Sequence, residues 1–241
     1  MALTEMETQR FDRICTSNGF KRRGKAYFRV HSDGILQILK LQYEHRFSHY
    51  SLDIGLQSMY SEHLKQWYTS SGCIPRYCIT SLKGQPYAVL FKKDANNFVT
   101  LTIDTPDEQM DLLEERGISF LDSIKTQRQL AEAIHYLDNQ FGGSVWWNDS
   151  FKLEPYLASC QYELAEKVIC TMLQQHGGKG PDPNIVWSED DYQQYRKRCL
   201  DEDHKWLQIH DWIANSDTES IQNYLQKNYQ QNMQYAKFCL K

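Results

Sequence analysis

The chain has 241 residues, of which 41% are hydrophobic, 24% charged and 13% aromatic, a composition typical of folded globular proteins. Asp and Glu outnumber Lys and Arg by 31 to 27 and give a net charge of -4, so the molecule as a whole is not expected to attract nucleic acid. Apolar runs are short and interrupted, which predicts no membrane-spanning helix. The first residues lack a basic segment followed by an apolar stretch, so no signal peptide is expected.

The cysteines indicate a reducing compartment. Their number is odd, seven, and they are scattered along a chain long enough to fold without disulfides, which favours a cytoplasmic protein. Only Cys73 and Cys78 lie close together, and no second pair of similar spacing completes the pattern of a structural zinc site. We therefore expect no metal and no cofactor.

The first half predicts a helix followed by antiparallel strands. Apolar residues at helical spacing predict a helix over 5–15, ended by Asn18 and Gly19. Alternating side chains predict two strands, over 26–30 and 35–44, joined by a turn at Asp33 and Gly34. Strict alternation over 49–59 predicts a third strand with Leu52, Ile54 and Leu56 on its buried face. Further strands are expected over 76–82, 87–91 and 98–103.

The second half predicts helices, because the apolar period changes from two to 3.6 at Thr105. The first of these helices is expected to end at Arg116 and Gly117, and Thr126 caps the next. A helix opened by Pro155 is expected to run without a break to 176–178, and Ser188 and Thr218 begin the last two. Strands followed by helices predict an α+β fold with a sheet-bearing unit, 1–123, and a helical unit, 124–241.

Several stretches resemble one protein family. They are Gly-Phe-Lys-Arg-Arg-Gly-Lys-Ala-Tyr-Phe-Arg over 19–29, the Asp-Gly hairpin, Gln42 on the following strand, Gly-Ile-Ser-Phe-Leu-Asp over 117–122, and the Tyr-Leu-Ala and Tyr-x-x-Ala wording of 156–165. Together they resemble a family of uncharacterised bacterial proteins known only as a domain of unknown function. The likeness is good in the first half and loose in the helical half. It implies a bacterial source and the same fold, and it brings no catalytic motif.

A basic segment is one candidate binding site. Cations interleaved with aromatic side chains on a sheet can hold a nucleic-acid strand by phosphate contacts and stacking. The opposing interpretation is a solvated, positively charged sheet edge, which discourages pairing with other strands. Alternation places Phe28 inward and leaves Tyr27 as the free aromatic. The cations concerned are Lys21, Arg22, Arg23, Lys25 and Arg29.

The polar face of the predicted sheet is the second candidate. Asp53 and Gln57 are expected to look away from the helices, and Gly55 between them admits close approach by a partner. Tyr27, Arg29 and His49 are expected on the same face, so that replacing Arg29 leaves the fold intact. Two adjacent tryptophans, Trp146 and Trp147, supply another candidate anchor. Glu44, His45, His49 and Asp53 are residue types that could ligate a metal or act as acid and base. Their spacing is not that of a helical pair and supplies no third ligand, which favours ordinary polar residues on the solvent face of a strand.

No set of residues forms a catalytic constellation, so no catalytic residue is assigned. Fifteen tyrosines and six tryptophans are of the type that anchors protein interfaces. The sequence therefore favours a non-catalytic, cytoplasmic module that binds another protein, in its narrowest form an immunity-type neutraliser of a toxin. The alternative is a nucleic-acid binder or an enzyme that uses the polar sheet face and the basic strand over 21–29.

Overall fold

The computed structural model describes residues 4–24, 26–44, 49–62, 106–141, 152–178 and 188–240. In this part of the chain, a helix is followed by an antiparallel sheet and then by a helical C-terminal half. This order confirms the predicted α+β class. The predicted strands over 76–82, 87–91 and 98–103 lie outside these residues. The elements, in chain order, are α1 (Glu5–Ser17), β1 (Lys21–Arg23), β2 (Ala26–Val30), β3 (Ile35–Glu44), β4 (His49–Ser58), α2 (Pro106–Leu112), a π-helical turn (Leu113–Gly117), α3 (Ile118–Ser123), α4 (Gln127–Phe141), α5 (Leu153–Ala158), α6 (Tyr162–Gly178), α7 (Glu189–Ala214) and α8 (Thr218–Leu240).

The first helix begins and ends where the sequence predicts. Thr4 Oγ1 accepts a hydrogen bond from the Glu7 backbone N–H at 3.2 Å, and Glu7 Oε2 accepts one from the Thr4 N–H at 2.6 Å. This reciprocal capping box satisfies two backbone donors at the start of the helix. Asn18 ends α1, and Gly19 follows it with φ +78°, a left-handed conformation that glycine adopts without strain.

The four strands form one antiparallel sheet in the order β1-β2-β3-β4. The hairpin between β2 and β3 pairs Val30 with Leu36 and Tyr27 with Leu39. Between β3 and β4, Leu36 pairs with Gln57 and Leu39 with Ile54. In the described part of the chain, no helix is both long and apolar enough to cross a membrane.

Apolar side chains fill both faces of the sheet. On one face, Tyr27 and Leu39 belong to the main core together with helical residues such as Leu130 and Trp206. This core therefore takes residues from both sides of position 123, although the predicted division into two units stays a prediction. A second, smaller core covers the other face, where residues of the strands pack against α8. Its members are Phe28, Leu36, Ile38 and Met59, with Ala26, Val30, Tyr229 and Met233 around them.

The predicted helix end at Arg116 and Gly117 is wrong. The chain passes through the π-helical turn and continues as α3. Gly117 has ordinary right-handed helical angles, φ -63° and ψ -44°, instead of the left-handed angles of a helix stop. Leu113 and Leu121 on either side are fully buried, and the wider π turn keeps both in the core.

The single helix predicted after Pro155 is two helices. The break lies at Cys160, whose φ is +59°. The backbone N–H of Gln161 donates to Tyr156 O at 2.8 Å and that of Cys160 donates to Leu157 O at 3.1 Å, the pair of bonds that closes a helix in a Schellman motif. Because no glycine or proline stands at the break, the apolar pattern alone does not reveal it.

The turn between β2 and β3 connects three other parts of the fold. Gly34 O accepts hydrogen bonds from Met59 N–H at the end of β4, 2.7 Å, and from Gln127 Nε2 on α4, 3.1 Å. Asp33 Oδ2 accepts the Gln127 backbone N–H at 2.7 Å, so a carboxylate lies at the positive end of α4. A Cβ on Gly34 would lie 2.9 Å from Tyr229 Cε2 and 3.3 Å from Met59 Cβ. The turn is therefore packed as tightly as a core position.

Replacing Gly34 by alanine tests this packing, with Gly24→Ala as the matched control. Both glycines have positive φ, +72° and +59°, but nothing lies within 4 Å of a Cβ at Gly24. We expect Gly24→Ala to lower the free energy of unfolding by about 1 kcal/mol, the cost of the left-handed conformation. Gly34→Ala adds the overpacking against Tyr229 and Met59, about 1–3 kcal/mol more. Urea denaturation measures both, and equal losses would contradict the packing argument.

Candidate functional site

The residues predicted to share one polar sheet face lie on two faces. Arg29 pairs with Gln37 and Gln37 with Leu56, so Arg29 lies on the face of Leu56. Gln57 belongs to the opposite face. The prediction assumed that Phe28 and Val30 share the face of Leu56, whereas the β2–β3 register aligns them with the row of Gln57.

Tyr27 is not a free aromatic residue. Its side chain is 3% exposed, and its ring meets Phe11 edge-on at 5.1 Å between centroids. The Tyr27 hydroxyl donates to Asp12 Oδ1 at 2.9 Å. Gln57 is also buried, because α8 covers its face of the sheet. The sequence contains a signal of this two-sided burial that the alternation argument missed: adjacent apolar pairs, 35–36 and 38–39, on β3.

Arg29 is a structural residue at the junction of the sheet, α1 and α3. Its guanidinium donates to Gln37 Oε1 at 2.8 Å and to Asn18 O at 2.9 Å, and its Nη2 lies 2.7 Å from Asp122 Oδ1. The fully buried Gln37 then donates to Leu121 O and Ile124 O on the far side. The expectation that Arg29 stands on an open surface is therefore wrong.

The binding role of the remaining candidate residues stays a prediction. For His49, Asp53 and Gly55 the structure gives the strand pairing, with Glu44, Lys40 and Ile38 respectively. Lys25, Trp146 and Trp147 lie outside the described residues, as do Cys73 and Cys78. In the described ranges, no three His, Cys, Asp or Glu side chains come together as a metal would require.

The basic edge is a part of the predicted site that reaches solvent. We use this name for Lys21, Arg22 and Arg23, the three residues of β1, which are all exposed. In the described sheet, β1 is one of the two edge strands and pairs only with β2. Arg22 donates from Nε to Gly24 O at 3.2 Å, and its guanidinium lies 5.8 Å from the Tyr27 ring centroid. Three adjacent cations thus stand at the edge of a sheet whose faces are covered.

A buried carboxyl group is a second feature, and the sequence analysis did not find it. Glu154 on α5 is 3% exposed, and Tyr224 on α8 donates its hydroxyl to Glu154 Oε1 at 2.9 Å. Glu154 Oε2 is buried with no hydrogen-bond partner. Lys205 of α7, the nearby cation, is itself paired with Glu62. Burial raises the pKa of Glu154 to about 7, against the opposing effects of Lys205 and the Tyr224 hydrogen bond.

Polar residues at four-residue spacing line the same side of α8. After Tyr224, Asn228 Nδ2 donates to Tyr60 O at 3.0 Å, and Asn232 Nδ2 donates to Met59 O and Ser61 O, both at 2.7 Å. These bonds satisfy the carbonyls of the segment that follows β4. We call Tyr224, Asn228 and Asn232 the polar ladder. Its signal in the sequence is only the spacing, which exposed helices also show.

Comparisons with known proteins return nothing for this chain: no family model, no curated protein and no solved structure matches it. The resemblance to a bacterial domain of unknown function therefore stays a prediction.

We expect Arg29→Ala to destabilise the fold strongly. The substitution leaves the buried Gln37 Oε1 and Asn18 O without their donor, which costs about 3 kcal/mol for a largely buried charged partner. Arg128→Ala is the matched control, because Arg128 is 79% exposed and pairs with Glu132 at 3.0 Å. That exposed ion pair should contribute less than about 0.5 kcal/mol. Similar urea midpoints for the two variants would contradict the structural role of Arg29.

Glu154 also makes the stability depend on pH. Its folded pKa, about 7, lies above the ordinary value of 4.5, so the folded state holds the proton more tightly than the unfolded chain. The free energy of unfolding should therefore fall as the pH rises from 4.5 to about 7 and change little from this group above that. In Glu154→Gln, which keeps an acceptor for Tyr224, this decrease of about 2–3 kcal/mol should vanish. Urea denaturation at several pH values measures it, with the exposed Glu163→Gln as control. An unchanged pH slope in Glu154→Gln would contradict the assignment.

Proposed function

We propose that the protein is a non-catalytic binding module that takes an acidic, extended segment of a partner protein at the basic edge. The observation that carries the proposal is that all three residues of β1, an edge strand of the described sheet, are exposed cations. An extended peptide can add to such an edge by main-chain hydrogen bonds, while its carboxylates face the cations. The partner segment is therefore negatively charged, which complements the positive charge of the basic edge. It carries the same sign as the whole molecule, whose net charge is -4.

The buried aromatic residues favour a peptide over a nucleic acid. Sequence-tolerant binding of single strands needs exposed rings on which bases stack. The rings next to the basic edge belong to Phe20, Tyr27 and Phe28, which are 2%, 3% and 7% exposed. Only phosphate contacts would remain for a nucleic acid, whereas a peptide can use both the cations and the strand backbone.

We also propose that the protein is cytoplasmic and of bacterial source. Four cysteines, Cys15, Cys160, Cys170 and Cys199, are unpaired, which supports a reducing compartment. The immunity-type role stays a prediction from the sequence.

Titration of the isotopically labelled protein with a synthetic peptide of alternating Glu and Val tests the proposal. We expect backbone amide shifts centred on β1 and a dissociation constant of about 10⁻⁴ M, as for a small and transient interface. Arg22→Glu/Arg23→Glu should abolish the shifts, and Arg128→Glu should not. A peptide with methylated backbone nitrogens keeps its charge but cannot pair as a strand, so it should not bind.

Two results would overturn the proposal. If the methylated peptide bound as tightly as the unmethylated one, the basic edge would bind only by nonspecific charge attraction and not by strand pairing. Tighter, salt-dependent binding of a single-stranded oligonucleotide, lost in the same double variant, would establish the nucleic-acid alternative.

A further inference from the structure

The outer face of α7 carries two large apolar side chains in solvent. Leu200 is 55% and Leu207 is 48% exposed, and the third such residue in the described part of the chain, Met6, lies on α1. Seven residues are about two helical turns, so the two leucines stand one above the other. The opposite side of α7 is anchored in the core by Trp206 and Ile209, 2% and 0% exposed. The leucines therefore form a fixed stripe that the described fold leaves uncovered.

Charged residues extend this stripe symmetrically. Arg196 lies four positions before Leu200, and Asp211 lies four positions after Leu207, and both are exposed. Along the helix this face therefore carries a cation, two leucines and an anion, in the order Arg196, Leu200, Leu207 and Asp211. The four residues share one side of the helix because their spacings of four and seven keep them within about 60° of one another.

Such a face is complementary to its own reversed copy. If a second α7 lies antiparallel across it, Leu200 of each copy meets Leu207 of the other, and Arg196 of each copy meets Asp211 of the other. A two-fold axis produces every contact twice, as an isologous interface requires. The pairing removes both leucines from water and neutralises both charges.

We propose that the chain forms a two-fold symmetric homodimer through antiparallel contact of α7 with α7 of a second copy. The order of the charges favours an antiparallel second copy over a parallel one, because a parallel copy would place Arg196 against Arg196. The contact goes beyond the proposed peptide binding at the basic edge and uses no residue of it.

The dimer is expected to be reversible. A helix of 26 residues is about 39 Å long, and one helix pair buries less than the roughly 1,200 Å² of a standard stable interface. In this register Asp203, at the midpoint of the face, lies opposite His204 of the other copy, so the middle of the contact adds no apolar burial. Monomers and dimers should therefore exchange in the micromolar range of concentration.

Sedimentation equilibrium of the full chain, from about 5 to about 500 μM, measures the association. The mean mass should rise from 28.5 kDa towards twice that value. Leu207→Glu should weaken the dimer at least about tenfold, whereas Met6→Glu, which places the same charge on another exposed apolar side chain, should not. A chain that stays monomeric throughout, or a dimer that tolerates Leu207→Glu, overturns the proposal.

A charge exchange tests the antiparallel arrangement itself. Arg196→Glu and Asp211→Arg should each weaken the dimer about five- to tenfold, the effect of about 1 kcal/mol of lost or reversed charge pairing. The double variant should recover the original affinity, and so should an equimolar mixture of the two single variants. Within one chain these residues lie about 22 Å apart along the helix, so recovery requires contact between copies. If the double variant dimerised more weakly than both single variants, this result would contradict the antiparallel arrangement.

Peptide binding at β1 should be unchanged in all of these α7 variants, which separates the dimer proposal from the proposed peptide binding.

Discussion

The tight turn at Asp33 and Gly34 is the contact on which the rest of the structure depends. It sets the β2–β3 register, holds the end of β4 through Met59 N–H, and accepts the first N–H of α4 through the Asp33 carboxylate. The ring of Tyr229 from the last helix lies against it. A short turn thus fixes elements that are far apart in sequence, because a glycine without Cβ lets backbone, helix end and aromatic ring approach together.

Both faces of the four-stranded sheet are covered by other parts of the fold, and this limits which surfaces can bind a partner. An antiparallel sheet with one face in solvent would offer a broad polar platform, but here α8 occupies the face that alternation in β4 predicts to be open. What remains in the described part of the chain is the two edge strands, β1 and β4, and the outer sides of helices. Edges bind extended segments and exposed helix faces bind helices, so the fold itself limits the chemistry of its partners.

The helices hold their charged groups on two different sides. Lys205 lies on the inner side of α7, paired with Glu62 near the buried Glu154, whereas Arg196 and Asp211 of the same helix face solvent. The buried group changes its charge near neutral pH because desolvation disfavours the carboxylate. The exposed charges instead remain available for contact with another molecule. One helix can therefore carry a pH-sensitive interior contact and a pairing surface without conflict between them.

The sequence by itself determined the α+β class, the position of α1 and its end at Asn18 and Gly19, the β2–β3 hairpin, and the starts of α7 and α8 at Ser188 and Thr218. These features depend on local capping, turn residues and periodicity, which neighbouring residues in the chain decide. Tertiary structure alone decided that Tyr27, Gln57 and Glu154 are buried. It also decided that Arg29 links three elements and that Gly117 continues a helix. Each of these depends on a partner distant in sequence, such as Asp122 for Arg29 or Tyr224 for Glu154, and no local pattern specifies which distant side chain will cover a given face.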